Sequence, residues 1–256
     1  MIDMFDSPET RQSAADPALM QRTIVPNTRS TPDLDELAVT LDRLAAGFST
    51  LSVFLLKPPT AQVLDQVREP ELLSQWPCHP CLDREAGIKL VAGSTGEDEL
   101  AVRDDFNRLF VGPERMLAAP YESVHLSADK LIFEQQTFVV RAAYAQFDLA
   151  APRLNQDPDD HIGLELEFLA ALANRALDIL DPSANLDPSA QVEQAKQVAE
   201  LNRHLSAMHS FLGTHLLAWG DTFFGLVQEH AKTDFFRGVG ALGAGVLDDA
   251  ATAFSL

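Results

Sequence analysis

From Leu34 onward the chain repeats apolar residues at three- and four-residue intervals: Leu34, Leu37, Ala38, Leu41, Leu44, Ala45, Phe48, Leu51 and Leu55. That spacing places them on one stripe of a long helix and obliges the stripe to find a core. Lys57-Pro58-Pro59 ends it, because proline lacks the donor that a continuing helix needs. No stretch alternates apolar and polar residues as a half-buried strand would. The nearest, Thr137 to Arg141, lies inside a helical period. The chain therefore reads as all-α, a multi-helix, bundle-like fold of roughly eight or more helices around one core.

The other helices follow from similar signals. Short ones are expected over Thr60 to Arg68 and Glu71 to Gln75, and a longer one over Glu97 to Phe110, stopped by Gly112-Pro113. Another covers about Lys130 to Phe147. Asp157-Pro158-Asp159-Asp160 reads as a helix start with Asp157 as cap and Pro158 at the first helical position, running to about Leu180. A long helical region from Gln191 to His230, bent near Gly213 or Gly220, precedes a glycine-rich apolar segment from Asp234 to Ala250. Residues 1–30 are polar, with Pro8, Pro17 and Pro26, and read as a flexible tail before a helical domain at 31–256. Thr31-Pro32 reads as the start of that domain's first helix.

Hydrophobic residues make up 46% of the 256, enough for a real core, so an excess of acid does not mean disorder. The formal net charge is −19, from 38 acids against 19 Lys and Arg. A phosphate backbone needs clustered basic residues, so nucleic acid is excluded as a partner and a basic one fits better. The first ten residues carry acids where a secretory signal needs bases, and no run of about 18 uninterrupted apolar residues exists. The richest window, Ser210 to Val227, is broken by His215 and Asp221. A cytoplasmic protein without stable membrane insertion is expected, and two cysteines build no disulfide framework.

Candidate chemistry is sparse. Cys78-His79-Pro80-Cys81 has redox spacing, but its flanks read as helix and loop rather than strand and helix, and a plain loop is the leading reading. Zinc would need two more ligands. Glu122 and His125 have Glu-x-x-His spacing, and His161 and Glu165 stand four apart. These four define an alternative, a carboxylate–histidine metal-dependent enzyme, although a di-iron bundle needs two such motifs. A third reading is an interaction module whose acidity is only solvation. Hydrolase-elbow and phosphate-loop signatures are missing. The glycines at 238, 240, 243 and 245 suit close helix packing. From Asp148 to Asp187 nine acids face two arginines, Arg153 and Arg175, a local acidity suited to a peptide that is basic and then apolar.

Four passages together carry a resemblance. They are Asp105-Phe106-Asn107-Arg108-Leu109-Phe110-Val111-Gly112-Pro113, Pro120-Tyr121-Glu122-Ser123-Val124, Asp157 through Phe168, and His215-Leu216-Leu217-Ala218-Trp219. In this order they resemble the TorD/DmsD/NarJ family of molybdoenzyme maturation chaperones, over about Leu34 to Ala250. The resemblance implies an all-helical TorD-type fold, domain-swapped in some members, with neither catalytic residues nor a cofactor. It implies a cytoplasmic monomer or homodimer. The implied partner is the apo catalytic subunit of a molybdopterin oxidoreductase, or its twin-arginine signal peptide, held for cofactor insertion before export. On the same basis Asp160 and His161 match the peptide-binding pair, Pro120, Tyr121 and Ser123 the adjoining loop, and Leu109, Phe110, Gly112 and Pro113 its apolar wall. Glu122 and Glu165 are added as further acids for the arginines. His125 stands where many relatives carry an aromatic residue, and the Trp76-to-Cys81 loop matches no motif of the family.

Overall fold

A computed structural model describes residues 34–112, 115–152, 158–181 and 191–256. The tail reading of residues 1–30, the Thr31-Pro32 start and the Asp157 cap lie outside them. The described residues fold as helices and turns. In chain order these are α1 (Leu34–Leu56), α2 (Ala61–Val67), α3 (Pro70–Ser74), α4 (Leu82–Gly93), α5 (Glu99–Phe106) and α6 (Glu122–Leu126). Then follow α7 (Gln135–Ala145), α8 (Ile162–Leu180), α9 (Gln191–Phe211), α10 (Leu217–His230) and α11 (Asp234–Phe254). The all-α expectation is met.

The stripe on α1 does what its period dictates. Leu41, Leu44, Phe48, Leu51 and Leu55 are buried between α8 and α11. α1 also passes a test that uninterrupted apolar runs miss: its best window of 18 residues has a mean hydropathy of 1.4, long and apolar enough to cross a membrane. This corrects the expectation that no window qualifies. Half of that window is buried inside the protein, as befits a core helix.

Besides the single turn of α6, which falls where a loop is expected, two helices depart from the sequence reading. α4 carries no apolar stripe and is not expected; its Leu82 is 85% exposed. What fixes it is contact with α11 through glycines. A Cβ on Gly87 would stand 2.9 Å from the carbonyl oxygen of Gly238, and one on Gly238 would stand 3.0 Å from that of Gly87. The two backbones therefore touch, and the glycine-rich segment is a packing surface. The second departure is the start of α8. It begins at Ile162 with His161 as N-cap, so Pro158 is not at a first helical position. Asp159 and Asp160 belong to a buried turn instead.

In the long region from 191 to 230 the α-helical turns give way to a five-residue π-helical turn, Leu212–Leu216, which contains Gly213. A second π turn, Asn107–Val111, ends α5 at Gly112, whose φ of 108° only glycine adopts without strain. Such turns carry an extra residue and re-aim the side chains that follow. Phe211, Trp219, Phe223, Phe224, Phe235 and Phe236 are all buried within this one chain. Edge-on contacts such as Phe223–Phe224 at 5.2 Å join them into a single aromatic core.

Gly238→Ala should lower stability by about 1–3 kcal/mol, because the added Cβ would stand 2.6 Å from the buried Val91 side chain and 3.0 Å from the Gly87 carbonyl oxygen, a backbone atom that cannot yield. Gly225→Ala on α10 meets nothing within 4 Å and should raise it by about 0.4–1 kcal/mol. Urea unfolding of the two variants checks both signs.

Candidate functional site

Two loops far apart in sequence are joined by main-chain bonds. The Ile162 N–H donates to the Pro120 carbonyl at 2.8 Å, and the Glu122 N–H to the Asp160 carbonyl at 2.9 Å. Tyr121 and His161 thereby face each other as an isolated antiparallel bridge. The Asp160 carboxylate, fully buried, accepts the Ser123 N–H at 2.8 Å and the Thr137 hydroxyl at 2.6 Å. It thus caps α6 and holds the first turn of α7. Asp159, also fully buried, takes the Arg141 guanidinium at 2.6 and 3.0 Å, and its carbonyl accepts the Tyr144 hydroxyl at 3.1 Å. Arg141 in turn covers the Phe138 ring at 5.6 Å.

Behind the turn lie two more acids. Glu122 holds His215 Nδ1 at 2.9 and 3.1 Å, a contact made possible by the π turn that carries His215 inward. Glu165 is fully buried on α8. The Trp219 indole and the Glu122 carboxyl face it, but neither makes a well-formed hydrogen bond to it. Burial, then the charges of Glu122 and Asp160, push the Glu165 carboxyl well above its ordinary value. Burial and these same acids also push the Tyr144 phenol well up.

His161 is bound by local geometry. Its Nδ1 accepts the Gly163 N–H at 3.0 Å, so that nitrogen carries no proton, and its ring meets Tyr121 edge-on with centroids 5.3 Å apart. The bond that orients the ring comes from the backbone of its own helix. Burial lowers its pKa to about 4.

Of the residues singled out from sequence, Pro120, Tyr121, Glu122, Ser123, Asp160, His161 and Glu165 are brought together. The acids among them point inward; Tyr121 and His161 are partly exposed. Leu109 and Phe110 are buried, Phe110 against Phe106, Phe223 and Phe236, so they form core rather than an open wall. Gly112 is partly exposed, and Pro113 lies outside the described residues. Sequence reasoning missed Thr137, Arg141 and Tyr144 as partners of the acids, and it placed His215 and Trp219 in a passage that carries the resemblance without giving either a role in the site. It also missed an apolar surface: Leu126, Leu131, Ile132 and Phe133, then Phe138 and Val139 on α7, all exposed, with Leu131 at 57%. The signal was present, since Phe138 and Val139 are large apolar residues off the buried phase of α7 marked by Thr137, Val140 and Tyr144. A cleft of about 360 Å³ opens beside them, lined by Val139, Ala143, Phe147, Phe211, Thr214 and His215. It runs from the exposed face of α7 to the histidine that holds Glu122.

The metal-enzyme set is not assembled. His125 Nε2 bonds the Ala119 carbonyl at 2.8 Å, Glu122 is taken by His215, and His161 caps a helix. Among the described residues no group of three or more His, Cys, Asp and Glu side chains could hold a metal ion.

A model of the nitrate reductase delta subunit family matches residues 82–225. The Tat proofreading chaperone DmsD of Salmonella typhimurium is 25% identical over 211 residues, which cover 81% of this chain and 85% of that protein. The chaperone protein TorD of Vibrio cholerae serotype O1 is 27% identical over 198 residues, covering 74% and 82%. The chaperone protein TorD of Aliivibrio fischeri is 26% identical over 155 residues, covering 60% and 65%.

Two pH effects of opposite sign follow. The unfolded histidine titrates near 6.5 and the folded one near 4, so below pH 6.5 the unfolded state binds more protons and stability falls as pH drops. NMR titration should find the His161 ring neutral at pH 6. For Glu165 the folded carboxyl keeps its proton to higher pH than the unfolded one, so stability falls as pH rises above the unfolded value. Glu165→Gln should remove that second decline, as read by urea unfolding at pH 6 and pH 8. Thr137→Val, which withdraws a donor from the buried Asp160 carboxylate, should cost about 1–3 kcal/mol.

Proposed function

The chain belongs to the nitrate reductase delta subunit family, and on that premise we propose that it is a cytoplasmic chaperone, not an enzyme, for the catalytic subunit of a molybdopterin oxidoreductase. Its partner is the apo-subunit or that subunit's twin-arginine signal peptide. The chaperone acts as a monomer or homodimer and binds without turnover. The observation that carries this reading is the likeness to Tat proofreading and TorD chaperones over most of the chain.

The geometry supports a division of labour. A twin-arginine peptide presents guanidinium groups followed by an apolar stretch. The apolar stretch lies on Leu131, Ile132, Phe133, Phe138 and Val139, which no other part of the described chain covers. The arginines enter the cleft toward His215 and the acids behind it, Glu122, Asp160 and Glu165. A guanidinium there supplies donors to a carboxylate in a low-dielectric setting, where charge-assisted bonds are strongest. Tyr121 and His161, both partly exposed, form the rim with Pro120 and Ser123 beneath them, and Leu109, Phe110 and Gly112 hold the loop from behind. Because the acids are buried, arginine binding requires the segment between α6 and α7 to yield.

Calorimetric titration of the full chain with a twin-arginine peptide tests this. Saturable binding is expected, weakened about tenfold or more by Phe138→Ser or Val139→Asp, which alter exposed positions and leave the core intact. Asp160→Ala should also weaken it, with an unfolding curve run alongside because Asp160 supports the fold. No binding to any such peptide, together with no co-purification of an apo-oxidoreductase, would refute the reading.

A further inference from the structure

The Cys78-His79-Pro80-Cys81 loop lies outside the family-matched region and plays no part in the proposed site. Its two cysteines are free thiols, Cys78 buried and Cys81 partly exposed. Both sulfurs pack on α11 at the same glycine, 3.5 and 3.3 Å from where a Cβ on Gly245 would stand, and they face each other. The loop is held rather than loose. The buried Asp249 of α11 accepts the His79 ring Nδ1 at 2.7 Å and the His79 backbone N–H at 3.3 Å, while Arg43 of α1 holds the same carboxylate at 2.8 Å. Pro80 fixes the next φ.

The two thiols are not equivalent. Cys81 is the N-cap of α4, a helix of 12 residues, and its sulfur accepts the Arg84 N–H at 3.4 Å. Negative charge on that sulfur is met by an amide and the helix N-terminus, the setting of a reactive cysteine. Cys78 donates its S–H to the His79 carbonyl at 3.2 Å. Burial, with Cys81 and Asp249 nearby, pushes the Cys78 thiol up to about 12. It stays protonated, as a second, resolving thiol should.

We propose that Cys78 and Cys81 form a peroxide-reactive dithiol site that closes to a reversible intramolecular disulfide. The Cys81 thiolate attacks one oxygen of hydrogen peroxide, the O–O bond breaks, and the hydroxide released takes a proton to become water. Cys81 is now a sulfenic acid. The Cys78 sulfur attacks it, the S–O bond breaks, and the Cys78 proton leaves with the hydroxyl as a second water. Two thiols and one peroxide give one disulfide and two waters, and an external thiol reverses the reaction. The grip of Asp249 on His79 keeps the sulfurs facing, which favours closure within the chain over coupling between chains.

The reduced full chain, treated with one equivalent of hydrogen peroxide, should lose both titratable thiols and about 2 Da of mass while staying monomeric on a non-reducing gel; dithiothreitol should restore both. Cys78→Ser should stop at a single sulfenic acid on Cys81, trapped by dimedone. Cys81→Ser should slow the reaction of the remaining thiol about tenfold or more. Two thiols still titratable after peroxide in the natural chain, or oxidation that yields only linked dimers, would overturn the proposal, and neither measurement depends on a variant folding.

Discussion

A single buried turn, Asp159-Asp160, organises the region around it. Two adjacent carboxylates are removed from water there, which is costly unless each is met by donors. The donors come from elements remote in sequence: the N–H of Ser123 on α6, and the side chains of Thr137 and Arg141 on α7. Satisfying the charge therefore forces α6, α7 and the start of α8 into one arrangement. Hydrophobic burial alone would not choose it, since apolar contacts are non-directional. The main-chain bridge between Tyr121 and His161 is a consequence of that arrangement. Glu165 takes no part in these hydrogen bonds, and its chemistry differs: burial, then the charges of Glu122 and Asp160, favours its neutral form.

The charge of the chain takes on a second meaning in this light. An excess of acid usually describes a surface. Here Asp105, Glu122, Asp159, Asp160, Glu165 and Asp249 are all buried. Asp105 illustrates their common use. It accepts the N–H groups of Lys232 and Thr233, the Thr233 hydroxyl and the Arg108 guanidinium, and so anchors the start of α11 to the end of α5. Part of the acidic surplus is internal scaffolding that fixes helix ends, and part is solvation.

The helices on which core packing depends could be read from the sequence because an apolar stripe is a direct record of burial. α1 is the plainest case. α4 could not be read, because its contact with α11 is made by Gly87, and a missing side chain leaves no apolar mark. The start of α8 was misplaced for a different reason. Acids after a proline suit a helix N-terminus and a hydrogen-bonded turn alike, and only the partners on α7 distinguish the two. The site shows the same limit. Sequence brings Asp160, His161 and Tyr121 into one neighbourhood, but the direction of a carboxylate depends on donors such as Thr137 that no local pattern announces. The cysteine loop is similar: spacing gave the pair, while the grip of Asp249 came only from the fold.

That grip has one more consequence. Arg43 and Asp249 are 206 positions apart, and the same carboxylate fastens the loop at His79. α11 also supplies the surfaces on which α1, α4 and α10 rest. On the ribosome, which delivers a chain from its N-terminus onward, the early helices emerge long before the helix they need. They wait as an apolar, incomplete assembly, and the structure can lock only when synthesis reaches α11. A protein that guards another chain before that chain is ready is itself exposed, during its own synthesis, to the same hazard.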